Sequence, residues 1–355
     1  MQRFAAFVIV LMACLPADAQ VDSRSLLTPL PIRDQFLLSN GFFFFQPEDS
    51  RVLGAGESML TFSAADSNTF AKSAWISRSE FGQTGRADAV RTLAESRFRV
   101  GEPLYLVDGE THRVELALRR GFGSNLELGI TIPISRIGGG WSDGTIESVH
   151  RALSIGNANR EAFRRNSETV FLQTATTQYI RDRSDGFNVG DLALSGKYEL
   201  KSLETRDVTM AISGAIEIPT GNARTLDGSG SLDGGLQLLA SRDFARTRVH
   251  ATLGVLRLGA NRTLGTRAQV LITDTFGIAQ LLSDRTSAVA QLTVSESPFR
   301  NIGLAEFTRR TYQLSVGMQR RIGRSFVAYA AIIENVLTYE NSADAGVAWG
   351  VARRF

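Results

Sequence analysis

The sequence predicts an all-β protein, a transmembrane antiparallel up-and-down β-barrel of about 12 strands (range 12–14) with a long external loop. Three observations predict it. Apolar and polar residues alternate along segments of ten or more residues, tight turns alternate with long polar connections, and the chain opens with an export signal yet carries no apolar run of 18 residues beyond it.

Residues 1–19 read as a secretory signal peptide. Met1-Gln2-Arg3 precedes an apolar run from Phe4 to Leu15, and Ala17-Asp18-Ala19 forms an A-x-A cleavage site before Gln20. "LMAC", Leu11 to Cys14, is the competing reading, a lipidation site. Cys14 is the single cysteine, so cleavage at Ala19 leaves none, and disulfides, thiolate metal sites and cysteine nucleophiles are excluded together. The formal charge is only +3, with 36 arginines and three lysines, Lys72, Lys197 and Lys201. A nearly balanced, exported chain is a poor match to a nucleic-acid partner.

The hairpin "VELALRRGFGSNLELGITIPI" sets Val114, Leu116 and Leu118 on one face and Arg113, Glu115, Ala117 and Arg119 on the other. After its turn, Leu126, Leu128, Ile130, Ile132 and Ile134 oppose Asn125, Glu127, Gly129 and Thr131. The alternation recurs. Leu192, Leu194 and Tyr198 oppose Asp191, Lys197 and Glu199; Ile212, Ile216 and Ile218 oppose Ser213 and Glu217; Leu232, Leu236 and Leu238 oppose Asp233 and Gln237; Leu314, Val316 and Met318 oppose Gln313, Ser315 and Gln319. A soluble sandwich also alternates, with its apolar side inward. Strand length, the alternation of connection lengths and the ending "GVAWGVARRF" favour a membrane barrel.

In that ending Val347, Trp349, Val351 and Phe355 share a face, and Trp349 and Phe355 are the expected signal for the barrel assembly machinery. Arg353 interrupts the face. A charge costs ~2–4 kcal/mol at the bilayer midplane and little near the interface, which puts Arg353 at the periplasmic rim.

Counting back from Phe355 sets the short connections "RRIGRSF", "LLSDRTS", "SRDFART" and "KSLETRD" in the periplasm, and "YENSADAG", "SPFRNIGLAEF", "GANRTLGT" and "PTGNARTLDGSG" outside. Residues 137–188 then form one external excursion. With 66–110 treated likewise there are 12 crossings, or 14 if "ETVFLQTATTQYI" and the earlier excursion are real hairpins. Residues 57–355 are the expected barrel and 20–56 a periplasmic N-terminal arm. Its "GFFFFQ", residues 41–46, is expected to pack as core or to lie against, or plug, the periplasmic mouth.

The stretches "PLPIRDQF", "LVDGETHRVELALRRGFGSNLELGITIPI", "GGWSDGTIESVHRAL", "VGDLALSGKYEL", "IPTGN" and "GSGSLDGGLQL", in that order, resemble an uncharacterised Gram-negative outer-membrane family, domain-of-unknown-function family 3187. They are more distantly similar to barrels of the phenol-degradation meta-pathway transporter type. The resemblance implies an outer-membrane location and a barrel, and no agreed activity.

The candidate chemistry is sparse. Glu147 and His150 share a helical face, but a di-iron site needs a second such half, and only His112 and His250 remain elsewhere. A lipid hydrolase needs a serine beside a histidine; His250 has only Thr252 near it in sequence, and His112 has none. "DGSGSLD" lacks the Gly and Glu of a calcium loop, with Leu232 and Leu238 in those places. No cofactor is implied.

The leading expectation is a passive channel for an unknown small-molecule solute, lined by Arg113, Glu115, Arg119, Glu127, Asp191, Lys197, Glu199 and Glu217. Its rivals are a lipid-modifying hydrolase and a structural barrel with a closed lumen. The run Thr145–Leu153 has helical spacing, with Ile146, Val149 and Leu153 on one side and Asp143 or Thr145 as cap. It is expected to fold inward as a constriction with Asp143, Glu147 and His150, while Arg160, Arg164 and Arg165 pair with wall carboxylates or with lipopolysaccharide phosphates.

Overall fold

The computed structural model describes residues 23–73, 103–152, 154, 160–181, 186–205 and 207–355. The signal peptide and most of the connection between the first two strands lie outside these residues.

In chain order the strands are β1 (Ser58–Lys72), β2 (Leu104–Phe122), β3 (Leu126–Gly138), β4 (Thr169–Gln173), β5 (Gln178–Arg181), β6 (Asn188–Val189), β7 (Leu192–Glu199), β8 (Val208–Ile218), β9 (Asp233–Phe244), β10 (Thr247–Leu258), β11 (Gln269–Ser283), β12 (Thr286–Ser295), β13 (Thr311–Ile322), β14 (Phe326–Asn335) and β15 (Ala345–Arg354). Among the described residues one α-helix, α1 (Asp143–Ala152), lies between β3 and β4. Among the described residues, β1–β3 and β7–β15 close a ring of 12 antiparallel strands, and β1 against β15 is the seam. At about 3.3 Å per residue, the strands of ten or more residues cross an apolar band ~25 Å tall even when tilted.

Burial separates the barrel from the sandwich. On outward positions large apolar side chains are exposed, as with Leu236 (64%), Phe276 (57%), Leu253 and Met318. On inward positions Gln237, Ser241, Gln291, Gln313 and Ser315 are buried. A soluble protein would reverse this, because exposed apolar surface is stable only where lipid meets it. Arg353 stacks over the Phe326 ring at 5.2 Å, at the end of the barrel that carries the short turns. The long connections cluster at the other, loop end.

The ring accounts for "ETVFLQTATTQYI". β3 leaves β2 after the Glu110–Gly138 pair, and the upper part of β2 takes β4 as its new neighbour, with β5 beyond. That hairpin continues the sheet past the barrel and does not cross the membrane, so the ring holds 12 strands. Gly140 permits the departure: its φ is +63°, and a Cβ there would overlap the Glu110 carboxylate.

The largest difference from the sequence reading concerns the N-terminal arm. Residues 23–57 do not form a periplasmic arm. They enter the ring at the turn end, reach the loop end near Phe36–Phe42 and return to β1, as an irregular hairpin inside the barrel. Period-2 reasoning could not place this segment, because it has no strand of its own.

The seam ends on Phe355, whose backbone exchanges two hydrogen bonds with Ser58 at 2.7 and 2.9 Å. Deleting Phe355 removes both, worth about 1–3 kcal/mol together. The deletion is expected to reduce the fraction of protein that runs as a compact, heat-modifiable band on unboiled gels. An unchanged band would show that the terminal aromatic and its seam contacts are dispensable.

Candidate functional site

A segment inside a barrel cannot extend the wall's hydrogen-bonded ladder, so its peptide groups must find side chains. The wall supplies them at regular intervals. On the ascending arm Ser287 donates to the Leu26 carbonyl (2.5 Å), Gln319 to Thr28 (2.6 Å) and Gln291 to Leu30 (3.0 Å), while the Leu30 N–H donates back to Gln291 (2.9 Å). Gln313 repeats the two-way contact, donating to the Arg33 carbonyl at 3.0 Å and accepting from the Gln35 N–H at 3.1 Å. An amide side chain presents one donor and one acceptor, as a neighbouring strand would.

The descending arm is held by charge. Glu48 lies 3.4 Å from Lys197 and 3.5 Å from Arg119, and Glu127 lies 3.3 Å from Lys197. The Val52 and Leu53 N–H groups donate to Glu199 and Glu127. Arg248, with its side chain 1% exposed, pairs with Asp49 and Asp243 at 2.8 Å each and donates to Thr209 at 2.8 Å. It is the principal clamp between hairpin and wall.

The tip is closed on itself and then sealed. The Arg33 guanidinium donates to the Ser39 (3.0 Å) and Phe42 (2.5 Å) carbonyls and stacks on Phe44. Phe36, Phe42, Phe43 and Phe44 join an apolar cluster with Leu172 and Tyr179 of β4 and β5 and with Phe299 and Phe307 of the β12–β13 loop. Phe36 meets Phe299 and Phe307 edge-on at 6.0 and 5.8 Å. "GFFFFQ" therefore plugs the barrel at the loop end, opposite the expected periplasmic mouth.

Stretches quoted above for their order meet at this tip. Asp191 accepts hydrogen bonds from the Gly221 (2.6 Å) and Ser229 (2.8 Å) N–H groups and so ties down the loop that follows "IPTGN". Asn40 donates to the Leu226 carbonyl (2.8 Å) and to Ser135 (2.9 Å). A Cβ on Gly41 would come within 2.6 Å of the Gly228 carbonyl oxygen, so glycine is required where hairpin and loop touch. Asp227 bonds Ser135 at 2.5 Å, and burial pushes its carboxyl above the ordinary range.

The eight charged lining candidates all sit on inward positions. Arg113 pairs with Glu115 at 2.7 Å and donates to Asn40, and Gln46 donates to Glu115. Arg119, Glu127, Lys197 and Glu199 face the descending arm, as above. Asp191 holds the loop, and Glu217 is buried beside the hairpin tip with Arg33 nearby. The mixed charges thus engage the hairpin as well as one another.

The segment from Trp141 to Asn166 differs from expectation. Its described residues lie on the outer side of the wall and do not constrict the lumen. Glu110, on the same outward parity as Leu118, accepts from the Trp141 (2.9 Å) and Ser142 (2.5 Å) N–H groups, and outward Asn68 donates to Asp143 at 2.9 Å. Asp143 is spent on this tether and on the Asn166 N–H (2.7 Å), and Ser142 precedes the helix. Ile146 and Glu147 are buried, whereas Val149 is exposed; Leu153 lies outside the described residues. Glu147 pairs with Arg165, and His150 is half-buried. Arg160 pairs with Asp344 and lies 3.6 Å from Asp143. Arg164 is exposed. Burial pushes the Asp344 carboxyl up to about 6, although Arg160 pulls it down.

Sequence reasoning missed two histidine pairs. His250 Nδ1 accepts from Ser241 at 3.0 Å and Nε2 donates to the Leu27 carbonyl at 2.8 Å, so the pair anchors the hairpin. Ser241 and His250 face each other across the β9–β10 turn, and counting outward from that turn would have found them. His112 pairs with Asp66 across β1–β2 on the outward face. Among the described residues no serine contacts its ring. The glutamines and Arg248 carried no distinguishing signal beyond an inward position.

These features define a closed β-barrel of the outer-membrane type whose lumen is occupied by its own N-terminal hairpin. The family model for DUF3187, described as a protein of unknown function, matches residues 6–355, and the chain belongs to that family. No curated protein matches the sequence. Among solved structures the fold is similar to an outer membrane channel from Pseudomonas putida F1, with 13% identity, a TM-score of 0.55 and coverage of 88% of this chain and 100% of that one. Looser likenesses are the P. putida toluene transporter TodX (11%, TM-score 0.38, covering 85% and 90%) and KdgM porin (9%, 0.39, covering 71% and 95%).

Replacing Arg248 with Ala leaves Asp49 without its buried partner and Asp243 with Arg51 alone, a loss toward the lower end of ~3–5 kcal/mol at the clamp. The descending arm should then be cut by trypsin after Arg51 in the folded barrel, as read by mass spectrometry. An unaltered digestion pattern would show that the arm is held without the clamp.

Proposed function

We propose that the protein is an outer-membrane channel for small solutes, exported through a cleaved signal peptide, and that its lumen is closed in this state by residues 23–57. One observation carries the reading. The wall's backbone ladder is complete without the hairpin, which is bound through wall side chains, so the hairpin can shift or leave while the ring stays closed. Side-chain hydrogen bonds and ion pairs exchange with water at a net cost near 1 kcal/mol each, unlike strands of a barrel. The surface left behind is polar and carries both signs, which suits passage of hydrated solutes without strong charge selection.

The hydrolase reading has less support. His250 spends both ring nitrogens on the hairpin and its neighbour, and it faces the lumen. His112 has its carboxylate and lacks a nucleophile among the described residues. The structural-barrel reading makes the opposite prediction about the empty wall.

Planar-bilayer recordings should give rare, small openings for the full chain. A variant lacking residues 23–56 but retaining the signal peptide should give stable steps several-fold larger, provided it remains heat-modifiable. Silence from a folded deletion variant would favour a structural barrel. Removing residues 141–165 from that open variant should leave step size unchanged, because the described residues of this segment pack outside the wall; a larger step would return it to the lumen.

A further inference from the structure

The hairpin leaves space on one side. Between it and the β1, β2, β14 and β15 wall, at the turn end, lies a cavity of about 240 Å³. Smaller voids of about 20 and 70 Å³ continue from it toward the loop end, past Gln46, Arg113 and Glu115, and stop at Phe43–Phe45 and Glu217. The series is open at the turn end and blocked by the sealed tip.

The large cavity has two kinds of surface. One is apolar, formed by Pro29, Pro31, Met59, Val327, Tyr329 and Ala352. The other is cationic. Its carboxylates, Glu48, Asp49 and Glu127, are each already paired with Arg119, Lys197 or Arg248, and Arg51 is paired with Asp243. Arg24, at the start of the hairpin, and Arg354, on the inward parity of β15, also line it and have no acidic partner among the described residues. They come from two independent parts of the chain, so neither is there as the other's neighbour in sequence. Two guanidiniums without a carboxylate partner beside an apolar wall call for an anion with a compact apolar body, because each Arg offers a planar fork of donors that fits a carboxylate.

We propose that this turn-end cavity binds a small monocarboxylate, with its carboxylate held by Arg24 and Arg354 and its hydrocarbon body against Met59, Val327 and Tyr329. The ligand has one charge and a body of a few carbons, as the volume and the one-sided apolar wall require. This deepens the channel reading and rests on it for its role: a solute held at the closed lumen's open end, next to the segment that must move for it to pass. The two halves of the site separate if the hairpin leaves, since Arg24 belongs to the hairpin and Arg354 to the wall.

The test uses the full chain in detergent and titration calorimetry with three probes: hexanoate, which has charge and body; acetate, which has charge alone; and 1-hexanol, which has body alone. Saturable binding is expected for hexanoate, at least tenfold tighter than for acetate. For 1-hexanol no saturable binding is expected. A hydrogen bond to a charged group contributes more than a neutral one, so Arg24→Gln and Arg354→Gln should each weaken hexanoate about tenfold or more. Arg24 is exposed and belongs to no wall strand, so R24Q folds even if R354Q disturbs the seam, and its heat-modifiable band reports this. Equal binding of 1-hexanol and hexanoate, or hexanoate binding indifferent to R24Q, would overturn the site. Because binding is measured without conduction, a silent bilayer with intact hexanoate binding would sink the channel reading alone.

Discussion

Everything in this molecule follows from the need to satisfy backbone polar groups where no bulk water reaches them. The wall solves it by closure: twelve strands pair in a ring, and Phe355 and Ser58 complete the seam. The hairpin inside the ring cannot use that solution, since a thirteenth partner has no free edge to join. Its peptide groups are met by side chains instead, above all by inward glutamines whose amides imitate a strand. This division makes the wall permanent and the occupant exchangeable.

The same constraint explains where the charges went. An inward-facing Arg or Glu in a water-filled lumen would be solvated; here most are buried, and most of these are paired. Arg248 takes two carboxylates, one from the hairpin and one from its neighbouring strand, and Lys197 and Arg119 share Glu48 with Glu127. Pairs of this kind contribute little net stability when compared with apolar replacements, but losing one member is expensive. Their effect is to fix one register of the hairpin against the wall.

At the loop end the seal is apolar. Four phenylalanines of the hairpin tip meet Phe299, Phe307, Tyr105 and the β4–β5 hairpin, and Gly41 touches Gly228 closely enough to exclude any side chain. The tip is therefore shaped to this pocket, whereas the turn end is loosely filled and holds the cavity. Closure is asymmetric: tight toward the long loops and open toward the short turns.

The sequence by itself determined the wall. Alternation fixed which side chains face lipid, as with Leu116, Leu118 and Leu128 against Arg113, Glu115 and Glu127, because a period of two leaves each residue only two directions. Connection lengths narrowed the strand count to 12–14, and the pairing of β4 with the upper part of β2 settled it at 12. Tertiary structure alone decided what fills the ring and what lies outside it. Residues 23–57 carry no period, so no local rule could thread them through the lumen, and the inward partners that hold them lie more than 200 positions away in several cases, as with Leu30 and Gln291. The segment around α1 has a helix's pattern, but its side of the wall was settled by Glu110 and Asn68, outward residues above the lipid-facing part of their strands. Amphipathic spacing says that a helix needs a surface; only the assembled barrel says which one.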